Sequence, residues 1–260
     1  MFKRSMLSMA AFFALSGCLG GGGGSSSAVA TVSVVSTFAD GAGVSTGVAN
    51  SEDGNLPVII MAPEIVAVTN ALNSDTDDDS DELDFDSLPI VQVLASGANF
   101  RQGTVTFDGQ TVNAIAIDDR GDEAFLFGFE SNGVAAAIAI GTPLTGTPVG
   151  TQTYTGTLTM GVRGALALQE LGSFTMGANF STNTFTFNGT TTSNSLNGSG
   201  VIDTGNGTFA SNNLTAVTNG TNRTATMFGN LHGNAATSVS GLFHTNEATP
   251  THAGGFVGSR

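Results

Sequence analysis

Three histidines, His232, His244 and His252, fall within 21 residues of one another and are the only histidines in the chain. Imidazoles brought together this way suit haem iron, zinc or copper. Each falls near the end of an expected strand, so neighbouring strands could carry them as a group; they read equally as polar residues in loops or at strand ends. A second candidate is the acidic run Asp75, Asp77, Asp78, Asp79, Asp81, Glu82, Asp84 and Asp86. Asp75, Asp77 and Asp79 take the first, third and fifth places of a calcium loop and Asp86 the twelfth. Ser80 stands where an EF-hand loop takes glycine, Asp86 replaces the bidentate glutamate, and no helix is expected on both flanks. A solvated loop held open by its own repulsion explains the same residues. Catalytic chemistry has less to work with. No serine sits in a Gly-x-Ser-x-Gly elbow that opens a helix, Gly20–Gly24 opens no helix, and Asp203, Glu247 and Glu170 show no spacing of a general acid–base pair. The residues point to a protein that is not an enzyme.

The elements that would hold these candidates begin with an export signal. Lys3 and Arg4 precede an apolar run from Met6 to Leu15, too short to span a bilayer, which takes about 20 residues as a helix. Leu15-Ser16-Gly17-Cys18 resembles the lipobox of bacterial lipoproteins. That resemblance implies diacylglycerol on the thiol of Cys18, removal of residues 1–17, and, with Leu19 rather than aspartate next, transport to the outer membrane. An ordinary secretory signal with an incidental cysteine is the alternative. Cys18 is the sole cysteine, so no disulfide can form within the chain. Acyl chains contribute about 0.8 kcal/mol per buried CH₂, enough for several chains to anchor the protein without a transmembrane helix. After cleavage five arginines face 21 acids, a net charge of −16 with no lysine. Nucleic acid and anionic lipid both need clustered cations, so neither is an expected partner.

Gly20–Gly24 and Ser25–Ser27 read as a flexible tether within residues 18–35. Residues 36–148 form an expected β-rich region, with an apolar run at Val58–Met61, a weak helix signal over Pro63–Leu72 and the acidic loop 75–86. In it Gly103–Phe107, Thr111–Ile117, Ala124–Phe129 and Val134–Ile140 read as an antiparallel meander turning at Asp108-Gly109 and Asn132-Gly133. Ala135-Ala136-Ala137 could instead seed a helix. A Pro/Gly/Thr linker, Thr142–Thr153, precedes eight strand candidates in residues 149–260: Thr153–Val162, Ala165–Met176, Thr184–Asn188, Ser195–Ile202, Gly207–Val217, Thr224–His232, Thr237–Phe243 and Gly254–Gly258. Eight antiparallel strands suffice to close a small barrel. The expected fold is therefore all-β, an eight-stranded barrel preceded by a smaller hairpin region. Its Asn/Thr loops, Asn179–Asn183, Asn188–Asn194 and Asn212–Asn222, offer polar contacts or are simply solvated turns.

The glycine and phenylalanine spacing of this second half carries a resemblance. Tyr154-Thr155-Gly156, Leu196-Asn197-Gly198-Ser199-Gly200 and Gly205-Asn206-Gly207-Thr208-Phe209 lead to a closing signature. That signature runs Met227-Phe228-Gly229-Asn230-Leu231-His232-Gly233, Ala236, Val239-Ser240-Gly241-Leu242-Phe243 and Gly254-Gly255-Phe256-Val257-Gly258. The pattern resembles the β-barrel domain of transferrin-binding protein B and related Gram-negative surface lipoproteins. Leu231-His232 replaces the family's Phe-Tyr, and the glutamate expected after Ala236 is absent. The resemblance implies a non-enzymatic capture lipoprotein of the outer membrane, taking iron, haem or a protein ligand and serving an outer-membrane transporter. Some relatives of this barrel bind haem, which would give the three histidines a use. A structural envelope lipoprotein without a specific ligand is the competing reading. An integral pore fits less well, with no tryptophan and one tyrosine to build aromatic girdles.

Overall fold

The structure is a computed structural model, and it describes residues 44–51, 54–61, 88–107, 110–119, 124–131, 134–162, 169–247 and 250–260. The described fold is all-β, as the alternation of apolar and polar residues requires. The first sheet contains β1 (Val44–Ser51), β2 (Gly54–Met61), β3 (Ile90–Val93), β4 (Asn99–Phe107), β5 (Gln110–Asp118), β6 (Ala124–Ser131) and β7 (Val134–Gly141). Its order is β1-β2-β7-β6-β5-β4-β3. The expected meander is β4 to β7. Ala135-Ala136-Ala137 lies in β7, where the neighbouring strands β6 and β2 pair with it and override the helical preference of alanine. Pro63–Leu72, Cys18 and the acidic run lie outside the described residues.

The second unit is a closed antiparallel barrel of β8 (Thr151–Val162), β9 (Gln169–Asn179), β10 (Thr184–Thr190), β11 (Asn194–Asp203), β12 (Thr208–Thr218), β13 (Thr221–His232), β14 (Ser238–Thr245) and β15 (His252–Ser259). Each strand pairs with the next, and β15 returns to β8 with Phe256 opposite Leu158. The β12–β13 hairpin turns on Asn219 and Gly220, both at positive φ (50° and 76°). That is the backbone a two-residue turn of primed type demands, and Asn-Gly adopts it readily.

Phenylalanines fill the barrel. The Phe174 and Phe187 rings stack at 5.2 Å, Phe256 meets them at 5.1 and 4.9 Å, and Phe185 meets Phe209 edge-on at 5.3 Å. Tyr154, Leu158, Met160, Met176 and Met227 occupy the remaining interior, all fully buried. Gly229 makes room for this packing: a Cβ there would sit 2.0 Å from the Phe209 ring. Tyr154 donates its hydroxyl to the Ala236 carbonyl at 2.7 Å, and burial pushes the phenol up to about 12 against the pull of Arg260.

The first sheet covers one side of the barrel. Ile59, Met61, Ile117, Leu126 and Ala139 pack on Leu242, Ala253 and Val257. Leu126 seats over Gly255, where a Cβ would approach its Cδ1 to 2.3 Å. Polar contacts register the two layers, with the Ser96 and Thr157 hydroxyls 3.0 Å apart and Ser238 donating to the buried Asp119 carboxylate.

Candidate functional site

The barrel strands separate the three histidines. His232 stands opposite Ser238 and His244 opposite Thr226 in the β13–β14 ladder. Six residue steps of strand separate those positions, about 20 Å. His252 shares the inward alternation of Phe256, whereas His244 lies opposite Ala253 on the outer, sheet-covered face. All three are buried. His232 Nδ1 donates to the Thr142 carbonyl at 3.0 Å, so Nε2 is the acceptor for the Ser240 hydroxyl at 2.8 Å. Burial pushes His232 down to about 4, with the Thr142 carbonyl opposing. His244 stacks on Phe228 with centroids 6.4 Å apart and donates Nδ1–H to the Thr245 carbonyl at 3.0 Å. His252 Nδ1 lies 3.1 Å from the Thr251 hydroxyl, and burial followed by Arg223 holds its proton affinity below the usual range. Iron at any of these rings would require it to leave its present packing. Among the described residues, no three His, Cys, Asp or Glu side chains converge on a metal-sized site.

The carboxylates singled out from the sequence organise loops. Glu170 accepts from the Thr191 hydroxyl (2.6 Å), the Ser193 amide (2.9 Å) and Asn194 Nδ2 (3.1 Å), which together lower its proton affinity, the Thr191 bond most. Asp203 closes the β11–β12 turn by accepting from Gly205 N, Asn206 N and Asn206 Nδ2. Glu247 pairs with Arg223 at the rim near His252. These are three separate places: Glu170 and Asp203 have donors for their carboxylates, and Glu247 holds Arg223 through Oε1 while its buried Oε2 has no partner among the described residues.

The barrel wall away from the sheet has a different chemistry. In β10, Phe185, Phe187 and Gly189 point inward while Thr184, Thr186, Asn188 and Thr190 are exposed. The outward row of β11 continues with Ser195, Asn197, Ser199 and Val201. This alternation is the inverse of a membrane-spanning barrel, whose outer band must be apolar. From Thr184 to Val201 the outward residues carry no charge.

One irregularity breaks this wall. The β11–β12 ladder shifts register between Asn197 and Val201, and the β12–β13 ladder between Ser211 and Leu214. Both shifts come from one extra residue on β12, which lifts Asn212 and Asn213 out of the ladders on either side. Side chains take over: Ser211 donates its hydroxyl to the Ser199 carbonyl at 2.7 Å, and the Asn246 amide reaches the Asn212 carbonyl at 3.4 Å while accepting from Thr226 at 2.8 Å. Gly198 (φ 153°) and Gly200 permit the close approach of β11, since a Cβ at Gly200 would lie 2.3 Å from the Ala210 carbonyl oxygen. The result is a groove of ≈ 460 Å³ with Asn212 and Asn213 on its rim, Val201 63% exposed beside them, and Phe228 toward the sheet. The sequence places the polar contacts of Asn212–Asn222 in a loop, whereas the structure places most of that stretch in strands and Asn212 and Asn213 in the bulge.

No protein-family model and no curated protein matches the chain by sequence. Among solved structures it is similar to the isotype 1 transferrin binding protein B of serogroup B Neisseria meningitidis. That match has 16% identity over 61% of this chain and 34% of that one, with a TM-score of 0.47. Transferrin binding protein B of Haemophilus parasuis is similar at 14% identity over 62% and 36% of the two chains, with a TM-score of 0.45. The N-lobe domain of lactoferrin binding protein B of Moraxella bovis is similar at 14% identity over 63% and 80%, with a TM-score of 0.35. The chain spans about a third of the length of the first two.

Proposed function

We propose that this chain is an outer-membrane lipoprotein, anchored through lipid on Cys18, that captures a ligand without transforming it. The observation that carries the reading is the packed barrel interior: with Phe174, Phe187 and Phe256 in mutual contact, the barrel is a scaffold whose recognition must come from outside. Among the described residues the sheet takes up the β13–β15 side, leaving for a ligand the β10–β12 wall, which is uncharged from Thr184 to Val201. The glycine and phenylalanine signature, with its resemblance to surface capture lipoproteins, supports the same conclusion. The ligand class is iron carried as haem or by a protein, handed on to an outer-membrane transporter.

The anchor is tested in a Gram-negative host. The native chain is expected to incorporate labelled palmitate and sediment with outer membranes, and Cys18→Ala to do neither. Capture is tested on the full lipidated chain in a zwitterionic detergent, titrated with haemin, followed by its Soret band, and with iron-loaded transferrin on a biosensor surface. Saturable binding of either probe is the expected result. A folded chain that binds neither overturns iron as the ligand class, and one that captures no ligand at all is a structural envelope lipoprotein instead.

A further inference from the structure

We infer that the bulged groove on the β11–β13 wall is a binding site for a neutral saccharide, a conclusion that rests on the reading of this chain as a capture protein. Its volume of ≈ 460 Å³ lies in the range of small-molecule sites, about 300–1,000 Å³. The chain carries a formal charge of −14, yet among the described residues no ionisable side chain lines the groove. A cationic ligand would find no counter-charge there, and an anionic one would meet the field of the whole protein. Uncharged hydroxyl-rich molecules escape both penalties.

The lining supplies what a sugar ring needs. Asn212 and Asn213 are exposed, and each carboxamide offers two donors and an acceptor to vicinal hydroxyls. Val201 and Phe228 give apolar area for the C–H face of a pyranose. The site is also built before any ligand arrives. Phe228 stacks on His244, and the backbone at Asn212 is tied through Asn246 to Thr226. The backbone and the aromatic wall are therefore ordered in advance, which lowers the cost of binding, and the exposed Asn212 and Asn213 side chains are what a ligand would fix.

The test uses the full lipidated chain in a phosphocholine detergent, since a maltoside headgroup would itself compete. Maltotriose, cellotriose and chitotriose are the neutral probes and trigalacturonate the charged one, each titrated calorimetrically. At least one neutral trisaccharide is expected to saturate at one site, with trigalacturonate about tenfold weaker or worse. Asn212→Ala with Asn213→Ala should weaken that binding about tenfold. Val201→Arg, which fills the groove from an exposed position, should abolish it, and Asn188→Ala on the same wall should leave it unchanged. All these positions are exposed, and retained melting temperatures would verify that the variants fold. Binding by none of the three neutral sugars overturns the inference, even where the chain captures haemin or transferrin and the capture reading stands. Sugar binding that survives both groove variants overturns it as well. A chain that binds sugar at the groove but neither iron probe keeps the site and replaces the ligand class of the capture reading.

Discussion

Phe256 is the sharpest place to test whether the barrel interior is a solid core. Its ring touches Phe174, Phe187 and Phe209 at centroid distances of 5.1, 4.9 and 6.0 Å and fills the space over Gly241, where a Cβ would lie 2.6 Å from Cζ. Phe256→Ala removes that ring from a site the surrounding strands cannot close, because β15 is paired on both sides. Phenylalanine-to-alanine changes in cores cost about 3–5 kcal/mol, and three neighbouring rings put this one toward the upper end. Domains are stable by only about 5–15 kcal/mol in total, so the barrel should survive with much of its margin gone. For a chain of this size the loss corresponds to roughly 10 °C in melting temperature. Urea unfolding followed by far-ultraviolet circular dichroism gives the number, with an unchanged slope showing that the same surface is exposed. Phe256→Leu, which keeps most of the volume, should cost less than about 1.5 kcal/mol. A loss below about 1 kcal/mol for the alanine variant would mean that water or a ligand already shares the interior, and recognition from outside would lose its basis.

Three further outcomes follow from the same packing. Tyr154→Phe keeps the ring and strands the buried Ala236 carbonyl, so it should cost about 1–3 kcal/mol in the same urea experiment. His232 is neutral in the fold, with a proton affinity of about 4 against an ordinary 6.5, so protonation favours the unfolded chain. Its contribution is whole above pH 6.5 and disappears as the pH falls toward 4. The difference is worth about 3 kcal/mol, and His232→Gln should flatten the stability profile across that interval. At the layer contact, Gly255→Val should push Leu126 out of its seat and crowd Leu242 on the neighbouring barrel strand, loosening the first sheet more than the barrel. Limited proteolysis should then cut within residues 88–141 well before residues 151–259.

Much of this architecture is legible in the sequence because two-residue alternation and Asn-Gly or Asp-Gly turns are local signals. Phe185 and Phe187 between Thr184, Thr186 and Asn188 announce a strand with an aromatic inner face, and the structure places them so. What is not legible is the ladder. Nothing local says that β2 pairs with β7 across the intervening chain, or that His232 and His244 fall at opposite ends of one hairpin. Spacing of 21 residues suggested a histidine cluster, whereas strand geometry spends that length on a traverse of the barrel wall and alternation sends His252 to the other face. All three are buried where they stand, so the structure describes three separate imidazoles and not one cluster. The groove left one trace in the sequence: Phe209 and Leu214 both belong to the inner face, yet they are five apart, an odd interval that regular alternation forbids.

That odd interval makes the bulge separable from the fold. From Asn197 to Val201 β11 has three residues between paired positions, and β12 has four between Ala210 and Thr215. Toward β13 the count is two on β12, between Ser211 and Leu214, against the single Thr226. Deletion of Asn213 would equalise both ladders at once and keep Phe209 and Leu214 facing inward, because an even interval then separates them. The regained backbone pairing should offset the local rearrangement, leaving stability within about 1 kcal/mol of the native chain. The groove itself would close, since Asn212 would return to the pleat beside Ser199. A deletion variant that unfolds would show that barrel closure needs the extra residue for its curvature. One that melts like the native chain yet no longer takes up a neutral trisaccharide would show that the extra residue serves the surface, at a strand the core has no reason to interrupt.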